Sequence, residues 1–176
     1  MRGITDTLCF TNGCGYDVEI IQFFDLQSNV HEVFGVEEKA ISSLQISKRL
    51  SAEKVAELLK TRFGIYLERS FSDLREALRS PLDSEFFCYR AIECLVHYFM
   101  YEFGDSVLPK KEGWRVLRNE LNVDEEVTRD IEQSAKPIRH GNVNEERLNN
   151  RESILIKTWL VVEKYVCYAL DKVVVH

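Results

Sequence analysis

The segment over residues 85–103 most constrains the fold, because it is apolar around most of its circumference. Asp83 or Ser84 supplies an N-cap for a helix, and Gly104 supplies the residue at which the helix stops. A helix that is apolar on nearly all sides is stable in water only when other elements cover it. The sequence therefore predicts that this helix lies at the centre of a helical body.

Further helices are predicted on both sides of this segment, each with one apolar face. The first is capped by Ser51 and stopped by Gly64, and the second is closed by Pro81. Apolar residues recur at steps of three and four in each of them, which is the period of an α-helix. The predicted helices span about residues 52–63, 66–79, 112–121, 124–138 and 145–171.

The first 48 residues have a different pattern, with short β-branched and aromatic runs separated by turn residues such as Asn12-Gly13. Three or four short strands cannot bury both of their faces, so they need a covering layer. We therefore predict an α+β fold, in which a small antiparallel β-meander (residues 1–50) packs on a helical domain (residues 51–176). The predicted strands are residues 7–10, 16–24, 30–36 and 41–46.

Composition and charge exclude several classes of protein. The chain has 176 residues, of which 45% are hydrophobic and 30% charged, and this is typical of one globular domain with a real core. No apolar run reaches the roughly 20 residues of a membrane span, and the N-terminus lacks the apolar run of a signal peptide. We therefore expect a cytoplasmic protein without a membrane partner.

The cysteines agree with a reducing compartment, because an odd number does not form a complete disulfide set. Cys9 and Cys14 have a spacing that two metal ligands can use, but no second Cys/His pair follows at zinc-site spacing. Motifs for a phosphate loop, a nucleophile elbow or a zinc helix do not occur either. We therefore predict neither a metal nor another cofactor. The five cysteines are Cys9, Cys14, Cys88, Cys94 and Cys167.

The net charge of -6 argues against a broad surface for non-specific phosphate binding, which needs an excess of Lys and Arg. The acidity is uneven, however, because residues 105–176 carry 12 Lys and Arg against 13 Asp and Glu. If RNA is a ligand, this C-terminal part is the better candidate for the contact. The alternative is a solvated surface of mixed sign.

The stretch Lys136-Pro137-Ile138-Arg139-His140-Gly141-Asn142 is the strongest candidate site. Proline lacks the N–H that closes a helical turn, so a kink or break is expected just before Arg139. Arginine binds phosphate through a planar fork, and histidine titrates near neutral pH. Cleavage of RNA without metal needs a base and a cation, which His140 and Arg139 can supply. The alternative is structural: His140 and Asn142 cap the helix end, and Arg139 forms a salt bridge.

A second polar cluster interrupts the central apolar helix. Arg90, Glu93 and His97 follow one another at helical spacing, so they lie along one side of that helix. Glu93 can pair with Arg90 one turn away, and it can orient His140 or hold Arg139 if the two helices pack together. The alternative is a salt bridge that fixes the register of the helix, with His97 at an edge.

This arrangement, with a polar Arg/Glu cluster on a central helix and an Arg/His motif ahead of a long final helix, resembles the HEPN (higher eukaryotes and prokaryotes nucleotide-binding) domains over about residues 65–172. The resemblance implies a metal-independent ribonuclease, commonly dimeric, of a defence or toxin–antitoxin system; other members are inactive and bind partners or nucleotides. The family site has an arginine, four to six residues, and then a histidine. Here positions 133–135 are Gln133, Ser134 and Ala135, so the motif is degenerate.

By position, His140 is the residue that the resemblance carries over, with Arg139 as a substitute cation. Arg90, Glu93, Lys136 and Asn142 form the supporting polar cluster. We therefore predict a HEPN-like protein that binds or cleaves RNA or binds a nucleotide, forms a homodimer and has a partner protein. The alternative is a non-catalytic interaction or dimerisation module, in which the polar cluster has a structural role.

Overall fold

A computed structural model describes residues 22–33, 38–44, 46, 50–103, 106–139 and 148–174 of the chain. The chain divides into two compact units, Met1–Val36 and Glu37–His176. This boundary lies earlier than the predicted one after residue 50. The described part of the chain is mainly helical, as the sequence indicated.

In the N-terminal unit, two strands form an antiparallel hairpin. Strand β1 (Gln22–Asp25) pairs with β2 (Val30–Val33), and the register places Asp25 opposite Val30 next to the turn. Asn29 closes the turn with a positive φ of 54°, a left-handed conformation that asparagine tolerates better than most residues. The side chain of Asp25 accepts a bond of 2.9 Å from the backbone N–H of Gln27, which further fixes the turn.

The predicted meander is wrong in its last strand. Residues 41–46 were expected to be extended, but helix α1 (Lys39–Ser42) occupies the start of this segment. The amides of Ile41 and Ser42 both donate to the carbonyl of Glu38 at 2.9 Å, so local bonds close a helical turn despite the β-branched Ile41. The predicted strand over residues 7–10 lies outside the described residues. The described part of the N-terminal unit contains a hairpin rather than a meander.

In the second unit, α4 lies at the centre of the bundle, as predicted. It packs against α3, α5, α6 and α7, and the side chains of Ile92, Leu95 and Phe99 are completely buried. Four neighbouring helices therefore cover the apolar surface of α4, which is stable in water only when it is buried. The helices are α2 (Ala52–Leu58), α3 (Gly64–Arg79), α4 (Ser84–Tyr101), α5 (Lys110–Leu121), α6 (Glu125–Arg139) and α7 (Leu148–Val174), with a 3-10 turn at Pro81–Asp83.

Gly64 was predicted to stop a helix, but it begins α3 instead. Helix α2 ends earlier, at Leu58, and the turn that follows brings the backbone close to Gly64. A Cβ atom at this position would lie 1.8 Å from the carbonyl oxygen of Leu59. Glycine is therefore required here by the close approach of two backbone segments and not by a helix end.

Helix α6 continues through Pro137 to Arg139, so the break expected before Arg139 does not occur. Pro137 removes one backbone hydrogen bond, the one to the carbonyl of Gln133. Ile131 and Ala135, which precede it, are buried in the core. Packing on α4 therefore outweighs the lost bond. Among the described residues, we find no helix with the length and apolar character that crossing a membrane requires.

Candidate functional site

A polar cleft with a volume of 610 Å³ lies where α5 and α6 pack on α4. Helix α4 contributes Tyr89, and α5 contributes the half-buried indole of Trp114. Five cationic side chains line the same cleft, three from α5 and two from α6. They are Lys110, Lys111, Arg118, Arg129 and Arg139.

The two lining helices run in opposite directions along the cleft. At one end, Lys110 of α5 and Arg139 of α6 both lie over the ring of Tyr89, with Nζ and Cζ at 6.0 and 5.2 Å from its centroid. At the other end, the guanidinium of Arg118 is 4.0 Å from the carboxylate of Glu125. Because a helix rises about 1.5 Å per residue, the α5 wall from Lys110 to Arg118 is about 12 Å long.

Tyr89 forms the floor of the cleft and is 3% exposed. Its ring stacks on Trp114, with centroids 5.9 Å apart and an interplanar angle of 24°. Its hydroxyl donates to Oε1 of Glu93 at 3.2 Å, and Nζ of Lys110 donates to the same oxygen. Burial raises the pKa of Tyr89, and the Glu93 carboxylate raises it further, so the phenol stays neutral and remains a donor.

The cleft is locally positive although the whole chain is negative. Its five cations face only two lining carboxylates, Glu125 and Glu132, whereas the chain carries a net charge of -6. Lys111, Arg129 and Arg139 are exposed, and none of them forms an ion pair with a described residue. These three side chains can therefore bind an anionic ligand without first breaking a salt bridge.

Two residues of the predicted site come together at this cleft. Arg139 lines it, and Glu93 lies behind it, where it holds Lys110 and Tyr89. Lys136 is exposed on α6 but does not line the cleft. His140 and Asn142 lie outside the described residues.

Arg90 lies away from the cleft, and the expected pair between Arg90 and Glu93 does not form. One guanidinium nitrogen of Arg90 lies 3.3 Å from the Asp73 carboxylate on α3, and its guanidinium also lies 5.5 Å from the centroid of the Phe86 ring. Residues three apart are neighbours on a helix surface, but here each has a partner on another helix: Arg90 pairs with Asp73 of α3, and Glu93 pairs with Lys110 of α5. These contacts favour the structural interpretation for Arg90, which ties α3 to α4.

Sequence reasoning missed most of the cleft. Lys110, Trp114 and Arg118 are spaced by four residues, which places them on one face of α5. This face of α5 carries a sequence signal, a Lys/Trp/Arg spacing of four residues, which is separate from the apolar stripe that predicts the helix. Its partner face on α6 could be recognised only once the packing of both helices on α4 was known.

A second cavity of the helical unit has a mainly apolar lining, which offers few groups that would select a ligand. This cavity, of 580 Å³, lies between α2, α3 and α7 and is lined mainly by aliphatic side chains such as Leu50 and Val162. In the described part of the chain, no three His, Cys, Asp or Glu side chains gather as a metal site would require. Cys9 and Cys14 lie outside that part.

The fold and the cleft together define a helical-bundle protein with an electropositive, aromatic-floored cleft. Residues 52–170 match the family described as "Domain of unknown function (DUF8168) C-terminal domain". Since this match covers more than half of the chain, the protein belongs to that family. The matched range contains every residue that lines the cleft. No curated protein and no solved structure matched the chain.

Proposed function

We propose that the protein binds RNA through the cleft formed by α4, α5 and α6. The proposal rests on one observation: five cationic side chains and the stacked pair Tyr89 and Trp114 line a single cavity, although the protein as a whole is acidic. Lysine and arginine neutralise phosphates, and aromatic rings stack on bases. A ligand that has both groups fits the cleft better than a simple anion does.

The resemblance to HEPN domains supports the same proposal from the sequence. It relates the polar residues at the end of α6 to RNA, and Arg139 from that segment lines the cleft. Arg139 is exposed, so its guanidinium is available to a phosphate group. Because positions 133–135 lack the family arginine, binding is the primary activity in this proposal.

Binding is tested with labelled single-stranded RNA and two matched double variants. Lys111→Glu with Arg129→Glu reverses two cleft charges, whereas Lys54→Glu with Arg75→Glu makes the same charge change at exposed positions outside the cleft. If two phosphate contacts are lost, the slope of log K against log salt decreases by about 1.4 for a single strand. We expect this change, and at least a tenfold weaker affinity, only in the cleft variant.

Two outcomes would contradict the proposal. One is the absence of RNA binding by folded wild-type protein at low salt. The other is an equal loss of affinity in both double variants, because that result would reflect the overall charge and not the cleft.

Cleavage is a second candidate activity, favoured by the position of Arg139 at the cleft and of His140 directly after it in the chain. In this mechanism His140 accepts the proton of the 2′-hydroxyl, and the 2′-oxygen bonds to phosphorus to form a 2′,3′-cyclic phosphate. The 5′-oxygen leaves and takes a proton from water, while Arg139 stabilises the charge on the scissile phosphate. The test is incubation of mixed RNA with wild-type protein and His140→Ala in EDTA. Cleavage by wild type alone would support it, and intact RNA with folded wild-type protein would restrict the function to binding.

A further inference from the structure

Trp114 is the aromatic side chain that the cleft can offer to a ligand. The ring of Tyr89 is almost fully buried, since Trp114, Lys110 and Arg139 cover it. The indole of Trp114 is only half-buried and lines the cavity. Tyr89 therefore supports Trp114 from behind, and a ligand base can reach the indole but not the phenol ring.

The position of Trp114 is fixed by close packing of α5 on α4. A Cβ atom on the preceding residue, Gly113, would lie 2.5 Å from Cγ of Met100 and 3.2 Å from Cγ1 of Val96. The absence of a side chain at Gly113 lets the two helices approach closely. An aromatic ring held in this way loses little conformational entropy when it stacks on a base.

The charges on α6 favour a short contact over a long phosphate track. Glu125, Arg129, Glu132 and Arg139 all line the cleft, so cationic and acidic side chains alternate along this wall. A backbone that followed the whole wall would bring phosphates close to carboxylates, which is unfavourable. Phosphates can instead occupy the positions near Arg129, Arg139 and Lys111.

A duplex does not satisfy this arrangement. In double-stranded RNA the bases are stacked on one another, and their faces are closed to a side chain, whereas an unpaired base can stack on an aromatic ring. The wall of α5 is about 12 Å long, which also limits the number of duplex phosphates that the cleft can reach.

We infer that the cleft takes an unpaired nucleotide of single-stranded RNA, with its base against Trp114 and its flanking phosphates on Lys111, Arg129 and Arg139. This inference rests on the proposed function and specifies its substrate class. Recognition through stacking tolerates any base, because every base has a π-face. The ligand is therefore selected by strandedness more than by sequence.

The first test compares wild type, Trp114→Ala and Trp114→Phe. Fluorescence anisotropy measures the affinity of each for a labelled single-stranded RNA 10-mer and for its duplex. Loss of one stacked base weakens binding by roughly tenfold or more, so we expect this loss in Trp114→Ala and less than about a threefold loss in Trp114→Phe. The salt dependence of binding is expected to stay that of wild type in both variants, because no phosphate contact is removed. Circular dichroism checks that each variant is folded.

The second test does not remove Trp114. The chain has two tryptophans, so Trp159→Phe leaves Trp114 as the single indole, and its emission should be quenched by the unlabelled single strand. Equal affinity for the duplex, unchanged binding in a folded Trp114→Ala, or emission that does not respond to bound RNA would each overturn this inference while the proposed function stands. If neither the single strand nor the duplex binds, both fail.

Discussion

The guanidinium carbon of Arg139 lies 5.2 Å from the centre of the Tyr89 ring. These residues come from the end of α6 and the middle of α4, and the contact links the Arg139 segment to the floor of the cleft. Lys110 approaches the same ring from α5. Tyr89 is therefore the point at which three helices bring their polar side chains together.

Replacing Arg139 is expected to reduce RNA binding more than stability. An exposed cation–π contact contributes about 0.5–1 kcal/mol, so the free energy of unfolding in urea should fall by about that amount in Arg139→Ala. Affinity should fall roughly tenfold, since a charge-assisted bond to phosphate is lost. Arg139→Lys keeps the positive charge, so this variant should retain part of the wild-type affinity for RNA. If Arg139→Ala binds RNA as wild type does, Arg139 does not contact the ligand.

Gly64→Ala is expected to destabilise the helical unit strongly. The new Cβ would lie 1.8 Å from the Leu59 carbonyl oxygen, and backbone atoms cannot move aside independently. We expect a loss of at least about 1–3 kcal/mol in urea unfolding, the usual cost of overpacking. Gly113→Ala is the comparison, because the atoms nearest to its new Cβ belong to the side chains of Met100 and Val96 and not to the backbone. Since side chains can repack, we expect a smaller loss there. Equal losses in the two variants would contradict the backbone explanation.

The stability contribution of Asp73 is expected to increase as the pH falls. Burial raises the pKa of this carboxyl group above its ordinary value of 3.8, although Arg90 lowers it in part. The folded state therefore takes up a proton at a higher pH than the unfolded state, and stability is gained between the raised pKa and 3.8. As the pH falls from 7 toward 3.8, the free energy of unfolding of wild type should rise relative to that of Asp73→Asn.

Arg90→Ala provides the control for this pH effect. It removes the positive charge that lowers the pKa of Asp73 most, so the increase in stability should begin at a higher pH than in wild type. A difference between wild type and Asp73→Asn that is independent of pH would show that the carboxyl group titrates normally.

Tyr165→Phe is expected to leave stability unchanged or to increase it. The Tyr165 side chain is completely buried, and its hydroxyl has no hydrogen-bond partner among the described residues. A buried polar group without a partner costs about 1–3 kcal/mol, and phenylalanine keeps the ring contacts with Phe63 and Phe99. Thermal unfolding measures the effect. A clear loss of stability in Tyr165→Phe would indicate that the hydroxyl has a partner.

The sequence predicted those elements whose pattern is local and repeated. The apolar circumference of residues 85–103 indicated the central α4, and the spacing of Leu67 and Leu74 indicated the buried side of α3. The predicted strand over residues 41–46 is wrong where it overlaps the end of α1, because a single β-branched residue, Ile41, is weak evidence for a strand within that four-residue helix. The secondary structure of such a short segment depends on a few local hydrogen bonds, and a periodic sequence pattern does not predict them.

The candidate site was predictable only in part. The position of Arg139 after Pro137 indicated it as a site residue. Lys110 and Trp114 can be recognised as site residues only when α5 is known to lie antiparallel to α6 on α4. The sequence indicated Glu93 as part of the site, but its ion-pair partner is Lys110, whereas Arg90 pairs with Asp73. Contacts between helices that are distant in sequence depend on packing, and one sequence does not specify them directly.

The bond between Lys110 and Glu93 fixes the wall of the cleft to the central helix of the bundle. A ligand that bridges Lys111 and Arg129 would therefore cross-link segments that separate when the protein unfolds. Such a ligand stabilises the folded state by about 2.7 kcal/mol at one hundred times its dissociation constant. A melting curve can thus serve as an assay for occupancy of the cleft, and oligonucleotides can be ranked by it without any label.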